Sequence, residues 1–535
     1  MKTWLKNGLI YDGSGGAPFL GDVLVTDDRI TAVGSVPESE TIDVDETIEL
    51  DGLSLSSGFI DAHSHNDWFA IKKEPLKYFE TFVRQGITSF VTGNCGLSAI
   101  GFPEGSPHID KLGGGLFFFD NTTGRYGSAR EYLDAVNNNC PCNIAVLVGH
   151  CSVRAGVSGF ENRPLSREEE EQMLALIEQN LEEGACGVSL GLMYEPGLYA
   201  DTSELKKVAS LCEKYDKPLT VHPRAQSAVS MSYKSLFGRP HLLRALDELV
   251  EVSRGKKMKL QYSHAIFVGR KSFKCKDEAV SILHGMRENG VDAMFDIYSE
   301  TLGVSVITVI LPAWYQSLSA KEKNKASNIA KLKVLINATS KLLGFGFADI
   351  QIAYIGKGYE RFEGKTVHEI ALEEGNSDLK TYLKLCEYSN YKGRVNMGPY
   401  STNQIISELS KDDHCLYMTD AWVEEHGIQN PAIYDCFPKF LHLSLAGSGD
   451  SMPRTIRKMT GGVADRFRLK DRGYVKEGFY ADLTVFNEKE LKDGKPDQSK
   501  AFGIEYVYIN GKKVLSDNGL DTAALVSSGS ALKVE

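Results

Sequence analysis

The sequence predicts an α/β protein: a (β/α)8 TIM-like barrel with an inserted subdomain before strand 8, and a small β-sandwich domain formed by both chain ends. Three observations predict it, namely eight short apolar runs in series, amphipathic helical segments between them, and strand-like alternation confined to the ends. The expected β domain comprises residues 1–55 and 473–535. The expected barrel comprises residues 56–472, with the insertion at about 315–410.

The eight apolar runs are short and almost continuously hydrophobic. This pattern is typical of strands that are buried on both faces of a parallel sheet. Amphipathic helices separate them, such as residues 166–184, which open with Ser166 as a capping residue and an acidic first turn. The predicted strands are 58–65, 87–95, 143–150, 186–193, 218–222, 259–264, 293–298 and 415–420.

A long gap separates the seventh and eighth runs. Residues 299–414 are too many for a simple loop. They contain helical material at 319–336 and another apolar run at 349–355. The gap therefore predicts a subdomain inserted into the barrel.

The two chain ends alternate apolar and polar residues and carry hairpin turn signals at Asn7-Gly8 and Asn510-Gly511. Neither end has enough strands to form a stable sheet alone. We therefore expect the two ends to pair into one β domain. The last residues, 527–535, are small and polar at first, and we expect them to be loose.

Composition limits the partners. With 60 Lys+Arg against 71 Asp+Glu, the net charge of −11 argues against nucleic acid or an anionic membrane as the main partner. No targeting segment and no apolar run of about 20 residues is visible. The ten cysteines are scattered, which favours a reducing cytoplasm over a disulfide framework. A small molecule is the expected partner, and homo-oligomers remain open.

Residues with metal-binding side chains collect at the carboxyl ends of the predicted strands, where barrel active sites lie. Five of the twelve histidines fall at four strand ends. One His at a strand end is usually structural, whereas the whole set favours a metal site. A Cys–His–His set leaves a fourth position for water, as in catalytic zinc sites, and thiolate favours zinc. The strand-end residues are His63, His65, Cys95, His150, His222, His264, Tyr298 and Asp420.

Several segments resemble the amidohydrolase superfamily, and within it the D-aminoacylase (N-acyl-D-amino-acid deacylase) branch. The resemblance runs in order from end to end, and it implies zinc-dependent hydrolysis of a non-peptide amide C–N bond in a small molecule. The segments include GFIDAHSH (58–65), VTGNCG (91–96), LVGHCSVR (147–154), GVSLGLMYEPGLYA (187–200), VHPRAQS (221–227), YSHAIFVG (262–269) and residues 459–486.

The resemblance also implies roles for individual residues. Cys95, His222 and His264 match a tight Zn²⁺ site, and no lysine occurs in strand 4, where other superfamily members carry a bridging carboxylated lysine. A second site, often weak or empty in such enzymes, is matched by His63, His65 and Asp420.

Further candidates act on the substrate. Asp420 matches the catalytic acid/base. Tyr194 is a candidate oxyanion donor, with a packing role equally open. Arg224 and Tyr298 are expected to contact substrate. His150 is a further candidate, for which a structural hydrogen bond is the favoured interpretation.

The expected substrate pocket departs from the branch at three positions. Where relatives carry a lysine, a serine and an arginine that hold the substrate carboxylate, this chain has Ile266, Val304 and Ala432. A buried carboxylate needs paired donors. The sequence therefore predicts a D-aminoacylase-like hydrolase with an altered carboxylate pocket.

Three alternatives stay open. A cyclic amide, of the lactam or hydantoin type, could be opened by the same hydrolysis. A metal-dependent deaminase shares the histidines and the aspartate, but Cys95 counts against it. A non-catalytic binding protein on the same fold is disfavoured because all six expected ligands are present.

Overall fold

A closed ring of parallel strands forms the centre of the molecule. The computed structural model describes residues 1–37, 43–103, 105–108, 112, 126–230, 232–233, 238–494 and 502–535. In these residues three separate hydrophobic cores lie in the barrel, in the insertion and in the β domain. The predicted fold class is confirmed.

The barrel strands pair in the order 1-2-3 in one sheet and 3-4-5-6-7-8 in another, because strand 3 is interrupted at Leu147. The amide of Ala62 donates to the carbonyl of Tyr417 at 3.3 Å, which joins strand 1 to strand 8. Strands 1 to 8 are Phe59–Asp61, Ile87–Thr92, Asn143–Val146 with Val148–Gly149, Val188–Gly191, Leu219–His222, Lys259–Tyr262, Asp292–Ile297 and Cys415–Tyr417.

Helices surround the barrel, and their caps follow the sequence signals. Ser166 accepts from the amide of Glu169 and forms a complete capping box at the start of Arg167–Glu182. No helix among the described residues is both long and apolar enough to cross a membrane. The helices that accompany the barrel are Asp67–Ala70, Glu80–Val83, Ala129–Val136, His150–Ser158, Arg167–Glu182, Thr202–Lys214, His241–Ser253, Lys276–Glu288, Asn403–Ser410, Ala432–Leu445, Met452–Lys458 and Gly461–Phe467.

The insertion has a sheet and a core of its own. Its sheet begins at Gly303, before the predicted boundary near 315, and Asn403–Ser410 packs against barrel strands 7 and 8. The partly buried Arg394 pairs with Glu424, in the loop after strand 8, at 2.8 Å and joins the insertion to the barrel. The insertion contains antiparallel strands Gly303–Val306, Arg394–Met397 and Ile350–Tyr354 and helices Ala313–Gln316, Ala320–Lys323, Ala326–Leu343, Val367–Glu373 and Asp378–Tyr388.

Both chain ends contribute to one nine-stranded sheet. Ser54–Ser57 links the two halves, because it pairs with both Lys2–Tyr11 and Leu483–Phe486. At Gly511 a Cβ atom would lie 1.7 Å from the carbonyl oxygen of Asp27, so this turn requires glycine. The other strands are Phe19–Thr26, Arg29–Gly34, Glu46–Glu49, Ile504–Ile509, Lys512–Ser516 and Gly519–Leu520, and short helices cover Glu488–Asp493 and Thr522–Leu525.

The expectation of a loose C-terminus is wrong. The amides of Gly529, Leu532 and Val534 donate to carbonyls near the starts of barrel strands 3 and 4, at 2.8–3.0 Å. The buried Lys217 ammonium donates to the carbonyls of Leu181 (2.6 Å) and Val534 (2.7 Å). The backbone holds this segment, and its apolar alternation is too short to signal a strand.

We predict that Lys217→Met lowers the stability of the protein. The substitution leaves two buried carbonyls without their donor, which costs about 1–3 kcal/mol for each. Thermal unfolding should show a lower Tm, whereas the exposed Lys533→Met in the same tail should leave the Tm unchanged. Equal Tm values for the two variants would contradict this role of Lys217.

Candidate metal centre

Six side chains with metal-binding atoms meet above the carboxyl ends of the barrel strands. Two histidines, His63 and His65, follow strand 1, and His222 is the last residue of strand 5. The other donors follow strands 2, 6 and 8. Their donor atoms form three overlapping groups, each with all atoms within 4.8 Å of one another. The six residues are His63, His65, Cys95, His222, His264 and Asp420, which the sequence proposed as ligands.

The Cys95 thiol lies at the centre of this cluster. Its Sγ is 3.4 Å from His63 Nε2, 3.5 Å from His222 Nδ1 and 3.4 Å from His264 Nε2. The two nitrogens of His222 and His264 are 2.9 Å apart. All four side chains are buried. One ion could therefore contact the thiol and two imidazoles at once.

Asp420 lies on the open side of the cluster. Its Oδ1 is 3.6 Å from His63 Nε2 and 3.5 Å from His65 Nε2. The Asp420 side chain is 24% exposed, whereas that of His63 is fully buried. Of the six donors, Asp420 is therefore well placed to reach both an ion and a molecule that enters from solvent.

Three of the six residues have left-handed backbone conformations. The φ angles are 54° at Cys95, 37° at His264 and 47° at Asp420, a region that non-glycine residues seldom adopt. Each of these residues lies within three residues of the end of a barrel strand. At Gly191 a Cβ would lie 1.9 Å from the carbonyl oxygen of Cys95, so close packing fixes this conformation.

Two buried carboxylates hold the ligand loops. Asp67 accepts from the amides of Gly93 (3.2 Å) and Ala99 (2.8 Å), on either side of Cys95. Burial raises the pKa of Asp67 to about 6. The Asp67 carboxylate thereby fixes the loop that carries the thiol.

Asp61 links strands 1 and 8. It accepts from the amide of His63 (3.1 Å), and from the amide (3.0 Å) and hydroxyl (2.5 Å) of Thr419. Burial raises the pKa of Asp61 to about 7. Sequence reasoning missed both acids, although Asp61 stands two residues before His63 in a segment that resembles the family.

The imidazoles of the cluster lower the pKa values of Cys95 and Asp420. Burial alone would raise the pKa of Cys95, but His63, His222 and His264 bring it well below the ordinary value of a thiol. Burial also opposes ionisation of Asp420, yet the hydrogen bond to His65 and the other imidazoles lower its pKa. Both shifts favour the anionic forms, in which thiol and carboxyl groups bind metal.

The donor set fits zinc. Sulfur, imidazole nitrogen and carboxylate oxygen are the ligands of protein zinc sites. Gln226 Nε2 lies 2.5 Å from His264 Nδ1 and donates to the His264 carbonyl at 3.3 Å, so Gln226 holds the ring nitrogen that does not face the thiol. His222 Nε2 is buried without a hydrogen-bond partner among the described residues, while its Nδ1 faces the thiol.

Three tyrosines surround Asp420, and one of them comes from the insertion. The Tyr194 ring lies 4.7 Å from that of His222. Tyr400 packs near Tyr298 over Gly303, where a Cβ would meet the Tyr400 ring at 2.6 Å and the Tyr298 hydroxyl at 3.3 Å. Burial and nearby negative charge raise the pKa of all three phenols. They are therefore proton donors at neutral pH.

Tyr400 has no sequence signal, because it follows a strand of the insertion and not a barrel strand. Its carbonyl accepts from Phe267 (2.7 Å), and its amide donates to Thr301 (2.8 Å). The backbone of Tyr400 therefore bridges the loops after barrel strands 6 and 7. This places the insertion in the wall of the site.

The structure gives Arg224 internal partners. Its guanidinium pairs with Glu248 through two contacts of 2.9 Å and donates to the carbonyls of Leu198 (2.7 Å) and Ala200 (2.9 Å). These contacts give Arg224 a positioning role, and its contact with substrate stays a prediction. Arg224 holds the loop that follows Tyr194.

His150 also has a structural partner. Its Nε2 lies 2.7 Å from Glu204 Oε1, which accepts from Arg154 at 3.0 Å, and all three residues are buried. The contacts match the structural interpretation of His150 and not the substrate-binding one.

The three altered pocket positions have different surroundings. Ile266 and Val304 pack into the barrel core together with Tyr400. Ala432 is fully buried, and its carbonyl accepts from Gln85 at 3.1 Å. Ala432 is the first residue of its helix, and for all three positions the contact with substrate stays a prediction.

A parallel barrel with thiol, imidazole and carboxylate donors at its strand ends has the arrangement of a metal-dependent enzyme. The model of the amidohydrolase family matches residues 55–386, more than half of the chain, so the chain belongs to this family. It is therefore a metal-dependent hydrolase that acts on carbon–nitrogen bonds other than peptide bonds.

Its relatives include enzymes of known activity. The D-aminoacylase of Alcaligenes xylosoxydans xylosoxydans is 25% identical over 523 residues, which cover 95% of this chain and 93% of the relative. The N-acyl-D-aspartate deacylase of the same organism is 26% identical over 520 residues, which cover 94% and 90%.

Solved structures have the same fold. A D-aminoacylase structure superposes with a TM-score of 0.78 at 24% identity, covering 99% of both chains. An N-acyl-D-glutamate deacylase from Bordetella bronchiseptica, complexed with zinc and a phosphonate inhibitor, gives 0.78 at 22% identity and the same coverage.

We predict that zinc stabilises the folded chain. An ion that binds only the folded state at 100 times its Kd adds about 2.7 kcal/mol. The zinc-loaded protein should therefore melt at a higher temperature than the protein treated with a chelator. Cys95→Ser should reduce this difference in Tm, and an undiminished difference would exclude the thiol as a ligand.

Proposed function

We propose that the chain hydrolyses the amide bond of a small N-acylated molecule that lacks a carboxylate next to the scissile bond. The Cys95, His222 and His264 side chains would hold one zinc ion tightly, and His63, His65 and Asp420 would supply a second, weaker site. The single observation that carries the proposal is the approach of one buried thiol to three imidazole nitrogens within 3.5 Å.

Zinc in such a site makes water acidic enough to react at neutral pH and polarises a carbonyl group. Asp420 is placed to take the proton of the attacking water and to deliver it to the leaving nitrogen. The lowered pKa of Asp420 keeps this carboxyl group in its ionised form, the form that can accept a proton. Its partial exposure supports contact with substrate.

The phenol groups supply the hydrogen bonds. Tyr194, next to His222, is placed to donate to the carbonyl oxygen as negative charge develops there. Tyr298 and Tyr400 meet over Gly303 and would bind polar groups on the rest of the substrate. Their raised pKa values keep these hydroxyls protonated at neutral pH.

The charges near the site support a neutral substrate. Arg224 is paired with Glu248. Lys439 contacts both Glu300 and Asp435. Arg394 is paired with Glu424. Each of these cations thus has a carboxylate partner within the protein, and Ile266 and Val304 add apolar surface. A substrate carboxylate would have to break an ion pair or remain unpaired.

The cysteines bear on the compartment in which we expect the protein to work. All ten are buried and free of disulfides, which supports a reducing compartment such as the cytoplasm. The proposed mechanism uses residues of a single chain, and a homo-oligomer is compatible with it.

A substrate panel tests the proposal. We expect neutral N-acyl amines to be hydrolysed with a kcat/KM about 10–100-fold above that of matched N-acyl-D-amino acids, the cost of an unpaired charge. Preference for the carboxylate-bearing compounds would overturn the neutral-pocket assignment. Turnover confined to lactams or hydantoins would identify a cyclic-amide hydrolase, and ammonia release from aminated heterocycles a deaminase.

We predict that Asp420→Asn lowers kcat by about 10²–10⁴-fold, because the amide cannot accept the proton of water. Zinc content at the Cys95, His222 and His264 set should be retained, as measured by elemental analysis. The exposed Asp51→Asn provides the control and should keep full activity. A variant of Asp420 with kcat within twofold of the parent would exclude it as the acid/base.

A further inference from the structure

A line of buried polar side chains runs through the interior of the barrel towards the metal centre. It begins at Arg466, on a helix that follows strand 8, and continues through Gln261 of strand 6 and Asp296 of strand 7 to His63. All four residues are at most 3% exposed. Polar groups buried in this way are costly unless they satisfy one another.

Arg466 fixes the orientation of Gln261. Its Nε donates to Gln261 Oε1 at 3.1 Å, while its terminal nitrogens bind Asp292 Oδ2 (2.8 Å) and the carbonyls of Leu260 and Asp292. A guanidinium group can only donate. The amide oxygen of Gln261 must therefore face Arg466, and the amide nitrogen must face the opposite way.

The amide nitrogen of Gln261 faces Asp296. Gln261 Nε2 donates to Asp296 Oδ2 at 2.8 Å. The other oxygen, Oδ1, accepts from the backbone amide of His264 at 2.6 Å and lies 3.6 Å from His63 Nδ1. One carboxylate is thus oriented by Gln261 on one side and contacts two candidate ligands on the other.

The carboxylate of Asp296 lies beside Nδ1 of His63 at 3.6 Å, an electrostatic approach just beyond hydrogen-bond distance. A carboxylate beside Nδ1 favours the tautomer with the proton on Nδ1, which leaves the lone pair of Nε2 directed at Cys95 and Asp420. The bond to the His264 amide also holds the left-handed backbone of that residue. Asp296 therefore acts on both parts of the metal centre.

We propose that Arg466 and Gln261 are positioning residues of the metal centre, which act through Asp296 on His63 and His264. The proposal rests on the metal-dependent function described above. Asp296 separates both residues from the ligands, and we expect substitution of either residue to change the affinity for metal. Neither of them contacts a candidate ligand directly in the hydrogen bonds described.

The test compares two buried glutamines in the full-length protein. Gln261→Leu removes the donor to Asp296. Gln85→Leu is the matched control, because Gln85 is also fully buried and makes two hydrogen bonds, to Ala432 and Phe437, away from the line. For each variant, the Kd for zinc is measured by competition with a chelator, and Tm by thermal unfolding.

We expect both substitutions to lower Tm, but only Gln261→Leu to weaken zinc binding, by about 10–100-fold. Asp296→Asn should weaken it at least as much. The absorption spectrum of the cobalt-substituted protein should also change in Gln261→Leu and not in Gln85→Leu. Equal zinc affinities in the two glutamine variants would overturn the proposal.

A milder variant covers the case in which Gln261→Leu does not fold. Arg466→Lys keeps the buried charge but loses the planar group that binds Gln261 and Asp292 together. It should weaken zinc binding severalfold, and an unchanged Kd would contradict the proposal. Because zinc binding is measured without substrate, a failed amide panel leaves this test intact. A parent protein that binds no zinc would overturn the proposed function and this inference together.

Discussion

The convergence of the Cys95 thiol and three imidazole nitrogens is the constraint on which the rest of the structure depends. Three buried imidazole nitrogens within 3.5 Å of one buried sulfur compete with it for protons unless a cation satisfies all four groups together. The barrel brings their strands to one edge, but the final approach requires left-handed backbone at Cys95 and His264. Such conformations persist only where the surrounding packing enforces them.

Three buried aspartates hold the backbone that carries the ligands. Asp67 holds the loop around Cys95, Asp61 joins strand 1 to strand 8, and Asp296 binds the amide of His264. Each accepts from at least one backbone amide in these loops, and Asp296 also accepts from the side chain of Gln261. The ligands therefore rest on a polar layer inside the barrel, and this explains why several strands carry a polar residue among apolar ones.

The sequence predicted the fold class and proposed the six residues that the structure brings together, because parallel strands end at one edge and donor types stand out there. It did not reveal Asp296, since a polar residue inside a strand has no partner nearby in sequence. Nor did it reveal the pairing of Arg224 with Glu248, which lies on a helix 24 residues later. The tail was misjudged because its order comes from backbone bonds to the barrel.

The candidate ligands and the residues expected around the substrate come from different parts of the fold. All six candidate ligands come from barrel strands and their loops, whereas Tyr400 comes from the insertion and Val304 from the first strand of its sheet. Arg394 and Glu424 join the insertion to the loop after strand 8, where Trp422 packs against the ring of His65. Substitutions in the insertion can therefore alter the surroundings of Tyr298 and Tyr400 while the barrel keeps the six candidate ligands together.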